Sequence, residues 1–300
     1  MTDTEITRCG YIALVGRPNV GKSTLLNRIL GQKISITAHR PQTTRHRILG
    51  VKTVGNAQAV YVDTPGIHQH APKAMNRYMN RAATSTIDEV DLVVFLVEGL
   101  RWTEEDEMVL QRLAGVGKPV FLAVNKVDAL TDKAKLLPYL EELARKLDFA
   151  EVFPLSARKG TNVEDLERAL MARLPEGCPL FPPDQITDRT ERFLAAELVR
   201  EKLTRKLGQE VPYALTVEIE QFKEQNGRLE IAALILVDRP GQKAIVIGKG
   251  GLTLKEVGSE ARKDMERLFD SKVHLQLWVK IREGWADDER ALQSLGYTDY

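Results

Sequence analysis

The stretch Gly16-Arg17-Pro18-Asn19-Val20-Gly21-Lys22-Ser23 spells G-x-x-x-x-G-K-[ST] between the apolar run Tyr11-Ile12-Ala13-Leu14-Val15 and a helical pattern. This constrains the fold more than any other feature, because the octapeptide works only as a loop joining a buried strand to a helix N-terminus. Gly16 and Gly21 let the backbone turn tightly and approach a polyphosphate with no Cβ in the way, so successive N–H groups face its oxygens. The following helix, Lys22 to Gly31, adds the positive end of its dipole. Lys22 is then expected to reach the β- and γ-phosphates, and the Ser23 hydroxyl to hold a magnesium ion.

The rest of the first half supplies the sheet that such a loop needs. Gln32 to Arg47 reads as a long surface loop carrying Thr37, Thr43 and Thr44. Ile48–Lys52 and Ala57–Val62 flank Gly55-Asn56 as a hairpin. A helical pattern over 74–87, a buried-type strand 92–97, a helix 104–114 and a strand 120–124 follow. A charged helix 133–147, a short strand 152–155 and a helix 163–174 complete the series. Strands alternating with helices predict a mostly parallel sheet covered on both faces, the hairpin adding one antiparallel edge.

Pro175, Pro179, Pro182 and Pro183 then break the pattern, which places a domain boundary there. Whether 175–188 is a free linker or a strap packed on the domains is open at this level. The predicted division is 1–174, linker 175–188, second domain 189–282 and an acidic tail 283–300. A chain of 300 residues with 43% hydrophobic content supports two cores. The formal net charge of +1 argues against a chain that is basic throughout. Cys9 and Cys178 have no paired spacing, so neither a disulfide framework nor a zinc site is suggested and a reducing cytosol fits. The first ten residues lack the pattern of a secretory signal. Apolar runs such as 92–97 are far short of the roughly 20 residues that span a bilayer.

Three further elements carry chemistry. Asp63-Thr64-Pro65-Gly66 ends the hairpin's second strand, where a carboxylate can reach magnesium and a glycine N–H a γ-phosphate. Asn125-Lys126-Val127-Asp128 follows strand 120–124 and resembles the guanine-reading motif of GTPases. The Asp128 carboxylate can accept from guanine N1–H and its exocyclic amine, donors that adenine does not present there. Asn125 ties loops together and the stem of Lys126 covers the base face. Ser156-Ala157, after the last strand, matches a further base-contacting element, and all of these fall at one carboxyl edge of the sheet.

Together with Gln42-Thr43-Thr44-Arg45-His46-Arg47, these motifs resemble the translation-factor-related GTPases, and most closely the Era-like family of bacteria. The resemblance covers nearly the whole chain. It implies an α/β P-loop GTPase domain, GTP contacts through residues 16–23, Asp63 to Gly66 with Ile67, 125–128 and 156–157, and hydrolysis to GDP and phosphate. Ser23, Asp63 and a loop threonine would hold Mg2+; Thr43 and Thr44 are adjacent candidates, with Thr44 preferred. The implied catalytic group is Lys22, Thr44, Asp63, Gly66 and Asn19. Ile67 stands where Ras-like enzymes place their water-orienting glutamine. Related members use K+ held partly by the asparagine at the position of Asn19.

The second domain reads helix, strand, strand, helix, helix, strand, with Gly248-Lys249-Gly250-Gly251 between its later helices. G-x-x-G alone is a poor signal, but in this order it is the arrangement of a prokaryotic-type KH domain, a smaller α+β fold whose loop clamps a nucleic-acid backbone. Residues 181–300 hold 19 basic and 21 acidic side chains, whereas 239–282 hold ten and five. Any RNA-binding face is therefore local, with Lys243, Lys249, Lys255, Arg262 and Lys263 as candidate phosphate contacts. Trp285 reads as packing the tail to the core in preference to stacking a base.

The resemblance implies a cytoplasmic monomer that binds GTP, GDP and the 3′ end of 16S ribosomal RNA in 30S subunit assembly. It also implies peripheral association with the inner membrane, although no lipid motif or strongly basic amphipathic helix appears. The alternative is a GTPase for tRNA modification or large-subunit assembly, with the KH-like unit contacting protein. An RNA chaperone that merely binds nucleotide is a third reading.

Overall fold

The computed structural model describes residues 7–40, 42–66, 74–208 and 211–297. The first domain is built from β1 (Arg8–Val15), α1 (Lys22–Leu30), β2 (Ile48–Val54), β3 (Ala57–Asp63), α2 (Ala74–Glu89), β4 (Leu92–Glu98), α3 (Glu104–Leu113), β5 (Val120–Asn125), α4 (Leu136–Ala144), β6 (Glu151–Pro154) and α5 (Val163–Arg173). The strand order is β2-β3-β1-β4-β5-β6, with only the β2–β3 hairpin antiparallel. Apolar residues of α1 and α5 bury one face of the sheet. Those of α2, α3 and α4 bury the other. With both faces covered, β3 and β5 are buried throughout, which is why β5 runs apolar without alternation, while β3 also buries the polar Gln58. The predicted helix 133–147 divides into a tight turn, Lys133–Lys135, and α4.

Segment 175–188 is a strap along the first domain. The Cys9 N–H donates to the Pro175 carbonyl, the Val51 N–H to Ile186, and Gln58 Oε1 accepts from the N–H groups of both Leu180 and Phe181. Its prolines stop regular structure while its remaining backbone groups find partners on the sheet.

The second domain comprises α6 (Glu191–Lys206), β7 (Leu215–Gln225), β8 (Arg228–Val237), α7 (Pro240–Ile247), α8 (Leu252–Leu268) and β9 (Lys272–Ile281). Its sheet order is β7-β8-β9, antiparallel then parallel, and α6 and α8 pack on it through Leu198, Val199, Leu203, Val257, Ala261 and Met265. Tyr213 lies in a short turn that precedes β7. The tail forms α9 (Glu289–Ser294), and Trp285, 1% exposed, packs with Leu292 and Tyr297 against Met75 and Tyr78 of α2. Among the described residues, no helix is long and apolar enough to cross a membrane.

Candidate functional site

The loop Gly16–Ser23 leaves β1 at the sheet's centre, so the ends of β3 and β5 deliver Asp63 and Asn125 beside it. Gly21 has φ 110°, and a Cβ there would sit 2.3 Å from Asn125 Nδ2. That nitrogen donates to the Val20 carbonyl at 2.7 Å, so glycine is required both by conformation and by the approach of the neighbouring loop. Lys22 is buried, its Nζ donating to the carbonyls of Gly16 (2.8 Å) and Arg17 (3.0 Å). Burial lowers its pKa to about 8 despite the pull of Asp63. Asn19 is exposed at the loop's crest with φ 64°.

Ser23, Thr44 and Asp63 converge. Ser23 Oγ donates to Asp63 Oδ2 at 2.6 Å and lies 2.8 Å from Thr44 Oγ1. Thr43 turns away, its hydroxyl donating to the Arg40 carbonyl at 2.6 Å. Ser35, which carried no motif in the sequence, also donates to Asp63 Oδ2, at 2.8 Å. Asp63 is fully buried and its Oδ1 has no partner among the described residues. Burial drives the carboxyl upward against the Ser23, Lys22 and Ser35 contacts. Two hydroxyls and a buried carboxylate with one oxygen orphaned are a hard-oxygen set that fits Mg2+. Among the described residues, no cluster of histidine, cysteine and carboxylate side chains competes with it. Thr64 supports the wall by donating to the Leu14 carbonyl, Pro65 and Gly66 continue the strand end, and Gly66 packs on Pro18. Ile67 lies outside the described residues.

The loop 125–128 is similarly braced. Asn125 Oδ1 accepts from the N–H groups of Lys126 (2.8 Å) and Ala157 (2.9 Å), tying two loops together. Ser156 donates to Asp128 Oδ1 at 2.6 Å, which lowers the Asp128 pKa and keeps it an ionised acceptor. Val127 contributes its backbone, donating to the Leu155 carbonyl. Arg28 of α1 reaches the carbonyls of Ala157 and Arg158, a brace that its place on a polar helix face did not announce.

The Arg17 side chain pairs with Glu98 and Asp106, leaving its backbone to line the loop. One expectation needs correction. Residues 32–47 are not a surface loop. Ile34, Ser35, Ile36 and Thr43 to His46 are buried, held by α6 and its surroundings. The Arg45 guanidinium donates to the carbonyls of Leu215 and Pro212, both at 2.8 Å, and Arg200 donates to the Thr43 carbonyl. Glu201 accepts from the Thr37 N–H at 2.9 Å and pairs with Lys33 at 2.5 Å. Helix α6 therefore buries its apolar side in one domain and its charged side, Glu197, Arg200 and Glu201, against the other.

In the second domain Gly248–Gly251 joins α7 to α8, with Gly250 at φ 60°. Lys249 and Lys255 are exposed and Lys243 half-buried. Lys263 is exposed but lies three turns along α8, about 18 Å from the loop. Arg262 is beside it and engaged by Glu266 at 2.8 Å. Ile245 and Leu252 flank the loop at 51% and 60% exposure; the signal for them as surface contacts was an apolar residue out of phase with the core on either side of the glycines.

Comparison with known proteins agrees with this geometry. A sequence profile described as a 50S ribosome-binding GTPase matches residues 11–126, and a KH-domain profile matches 210–286. GTPase Era of Ectopseudomonas mendocina is 60% identical over 299 residues, covering 100% of both chains. That of Marinobacter nauticus is 61% identical over 294 residues, 98% of this chain and 96% of the other. A point variant of Aquifex aeolicus Era bound to GDP·AlF4− has a TM-score of 0.94 at 39% identity, covering 97% of this chain and 100% of that one. Era in complex with MgGDPNP and nucleotides 1506–1542 of 16S ribosomal RNA has a TM-score of 0.93 at 39% identity, covering 97% and 99%. Likeness of this depth runs through both domains and the strap between them, so the chain is a GTPase and belongs to the Era family.

Proposed function

We propose that this chain is a Mg2+-dependent GTP switch that binds 16S ribosomal RNA near its 3′ end and acts in 30S subunit assembly in the cytoplasm. One observation carries the switch: Thr44 meets Ser23 of the phosphate loop, while its neighbours on either side, Thr43 and Arg45, are gripped by the second domain. Whatever orders Thr44 therefore bears on how the two domains sit, and linkage requires RNA to act back on the nucleotide by the same factor. The RNA assignment draws on the KH fold and on the relative solved with nucleotides 1506–1542 of 16S rRNA.

In this reading Gly16 to Ser23 cradle the phosphates, and Asp63 to Gly66 face the γ-phosphate. Asn125 to Asp128 with Ser156 and Ala157 take the base. Ser23, Thr44 and Asp63 would hold Mg2+, which when bound neutralises charge on the transferring phosphoryl group. Lys22 places its charge on the β- and γ-phosphates, and the Gly66 N–H orients the γ-phosphate. Asn19, exposed beside the loop, is the proposed contact for an assisting K+. On the second domain, Gly248 to Gly251 admit the RNA backbone, Lys249, Lys243 and Lys255 meet its phosphates, and Ile245 and Leu252 offer apolar faces to unstacked bases. Arg262 and Lys263 reach only RNA that continues past the loop.

The test is crosslinking of the intact protein to total RNA with Gly250→Asp as control, beside GTP turnover by Lys22→Ala. Enrichment of the 16S 3′ end that Gly250→Asp abolishes, with turnover lost in Lys22→Ala, is expected. Enrichment of tRNA or 23S RNA overturns the RNA assignment, and undiminished turnover overturns the role of Lys22.

A further inference from the structure

Glu98 ends β4, and its carboxylate is shared by cations from two different loops. Oε2 accepts from Arg17 Nη2 of the phosphate loop at 2.7 Å, and Oε1 lies 3.2 Å from Lys126 Nζ of the base-reading loop. Arg17 is clamped from its other edge, Nε donating to Asp106 Oδ2 at 3.0 Å. That oxygen also accepts from the Thr103 N–H and hydroxyl at the start of α3, so Arg17 is fixed to the domain rather than to Glu98 alone. The backbone repeats the connection: Glu98 is in register with Asn125, and the Gly99 N–H donates to the Asn125 carbonyl at 2.8 Å. Lys126 itself adopts φ 66°, a left-handed conformation that a lysine keeps only where its surroundings hold it. Burial works to raise the Glu98 carboxyl, and Arg17 and Lys126 outweigh it, holding it below its ordinary range.

We infer that Glu98 is a positioning residue that locks the base-reading loop to the phosphate loop, so that both ends of a guanine nucleotide are gripped together and its residence time is set by this bridge. The inference rests on the proposed placement of Lys126 over the guanine face. An isolated exposed ion pair contributes little to such a purpose. Here one carboxylate joins two loops, and the Arg17 side chain is buried.

Glu98→Gln keeps the volume and removes the charge. Release of a fluorescent GDP from the full-length protein with Mg2+, and kcat and KM for GTP, are the readouts. Release and KM are expected to rise about tenfold, from loss of charge-assisted contacts, with kcat within about twofold. In a Lys126→Ala background the same change is expected to add less than about threefold, because one of the bridged cations is already gone. Unchanged release, a fall in kcat matching that in kcat/KM, or effects that multiply fully in the double variant would overturn the inference. Lys126→Ala alone tests the underlying placement: wild-type GDP release from it overturns that reading, whatever Glu98 does. Should Glu98→Gln not fold, Glu98→Asp is one methylene short of spanning both cations and is expected to speed release; wild-type release from it counts against the bridge.

Discussion

His46 lies flat on Tyr297, ring centroids 4.4 Å apart and planes inclined by 17°. Phe193 of α6 and Tyr78 of α2 meet this pair edge-on. The segment that carries Thr44 is thereby packed on the tail, and the tail on the helix that follows Asp63 to Gly66 in sequence. The segment that carries Thr44 and helix α2 therefore share one support at the domain junction, which is consistent with the proposed coupling of GTP to the second domain.

Arg45 is 1% exposed and its guanidinium is held by backbone carbonyls of the second domain. Arg45→Ala removes these bonds and leaves buried carbonyls without a donor. A loss of roughly 3 kcal/mol in stability is expected from chemical denaturation, with faster proteolysis within residues 32–47. Unchanged stability would show that the contact contributes nothing.

The domain junction should also respond to acid in one direction. Burial works to raise the carboxyls of Glu197, Glu201 and Asp264, and their Arg200, Lys33 and Lys202 partners outweigh it, leaving all three below their ordinary values of 4.5, 4.5 and 3.8. Protonation therefore favours the unfolded or undocked chain. Their contribution is complete above the ordinary values and is lost as pH falls through the depressed ones. Glu197→Gln, which breaks a buried pair, is expected to cost about 3 kcal/mol at pH 7, a difference from wild type that shrinks below about pH 4.5. A difference independent of pH down to 3 contradicts the assignment.

The nucleotide-facing half of this account was legible in the sequence because each motif sits where a strand ends, and buried strands announce themselves by unbroken apolar runs. The junction was not. Arg45 binds carbonyls 167 and 170 positions away, and carbonyls have no residue type to read. The charged side of α6 looks solvated until another domain is laid on it, and the polar stretch 32–47 carries no periodicity to mark burial. Arg17 was read as a phosphate-loop residue because its backbone is one; its side chain turns toward acids that lie 81 and 89 positions on.

Gly21→Ala places a Cβ 2.3 Å from Asn125 Nδ2 at a φ of 110°. The Asn125 bond to the Val20 carbonyl must break or the phosphate loop must shift. GTP affinity is expected to fall by about tenfold or more, measured by titration with a fluorescent analogue. Wild-type affinity would mean that the two loops do not need this close approach.

If Asn19 helps to hold K+, GTP turnover in potassium buffer should exceed that in sodium buffer by about tenfold, and Asn19→Ala should erase the difference while leaving the sodium rate in place. Equal turnover in the two buffers, unchanged by Asn19→Ala, removes the ion from the account.

The most direct test of the central claim is the affinity of the full-length protein for a 16S 3′-end oligonucleotide, measured with a non-hydrolysable GTP analogue and with GDP. The account predicts binding at least about fivefold tighter with the analogue, and an equal tightening of the analogue by the RNA. Identical RNA affinity in the two nucleotide states would contradict it.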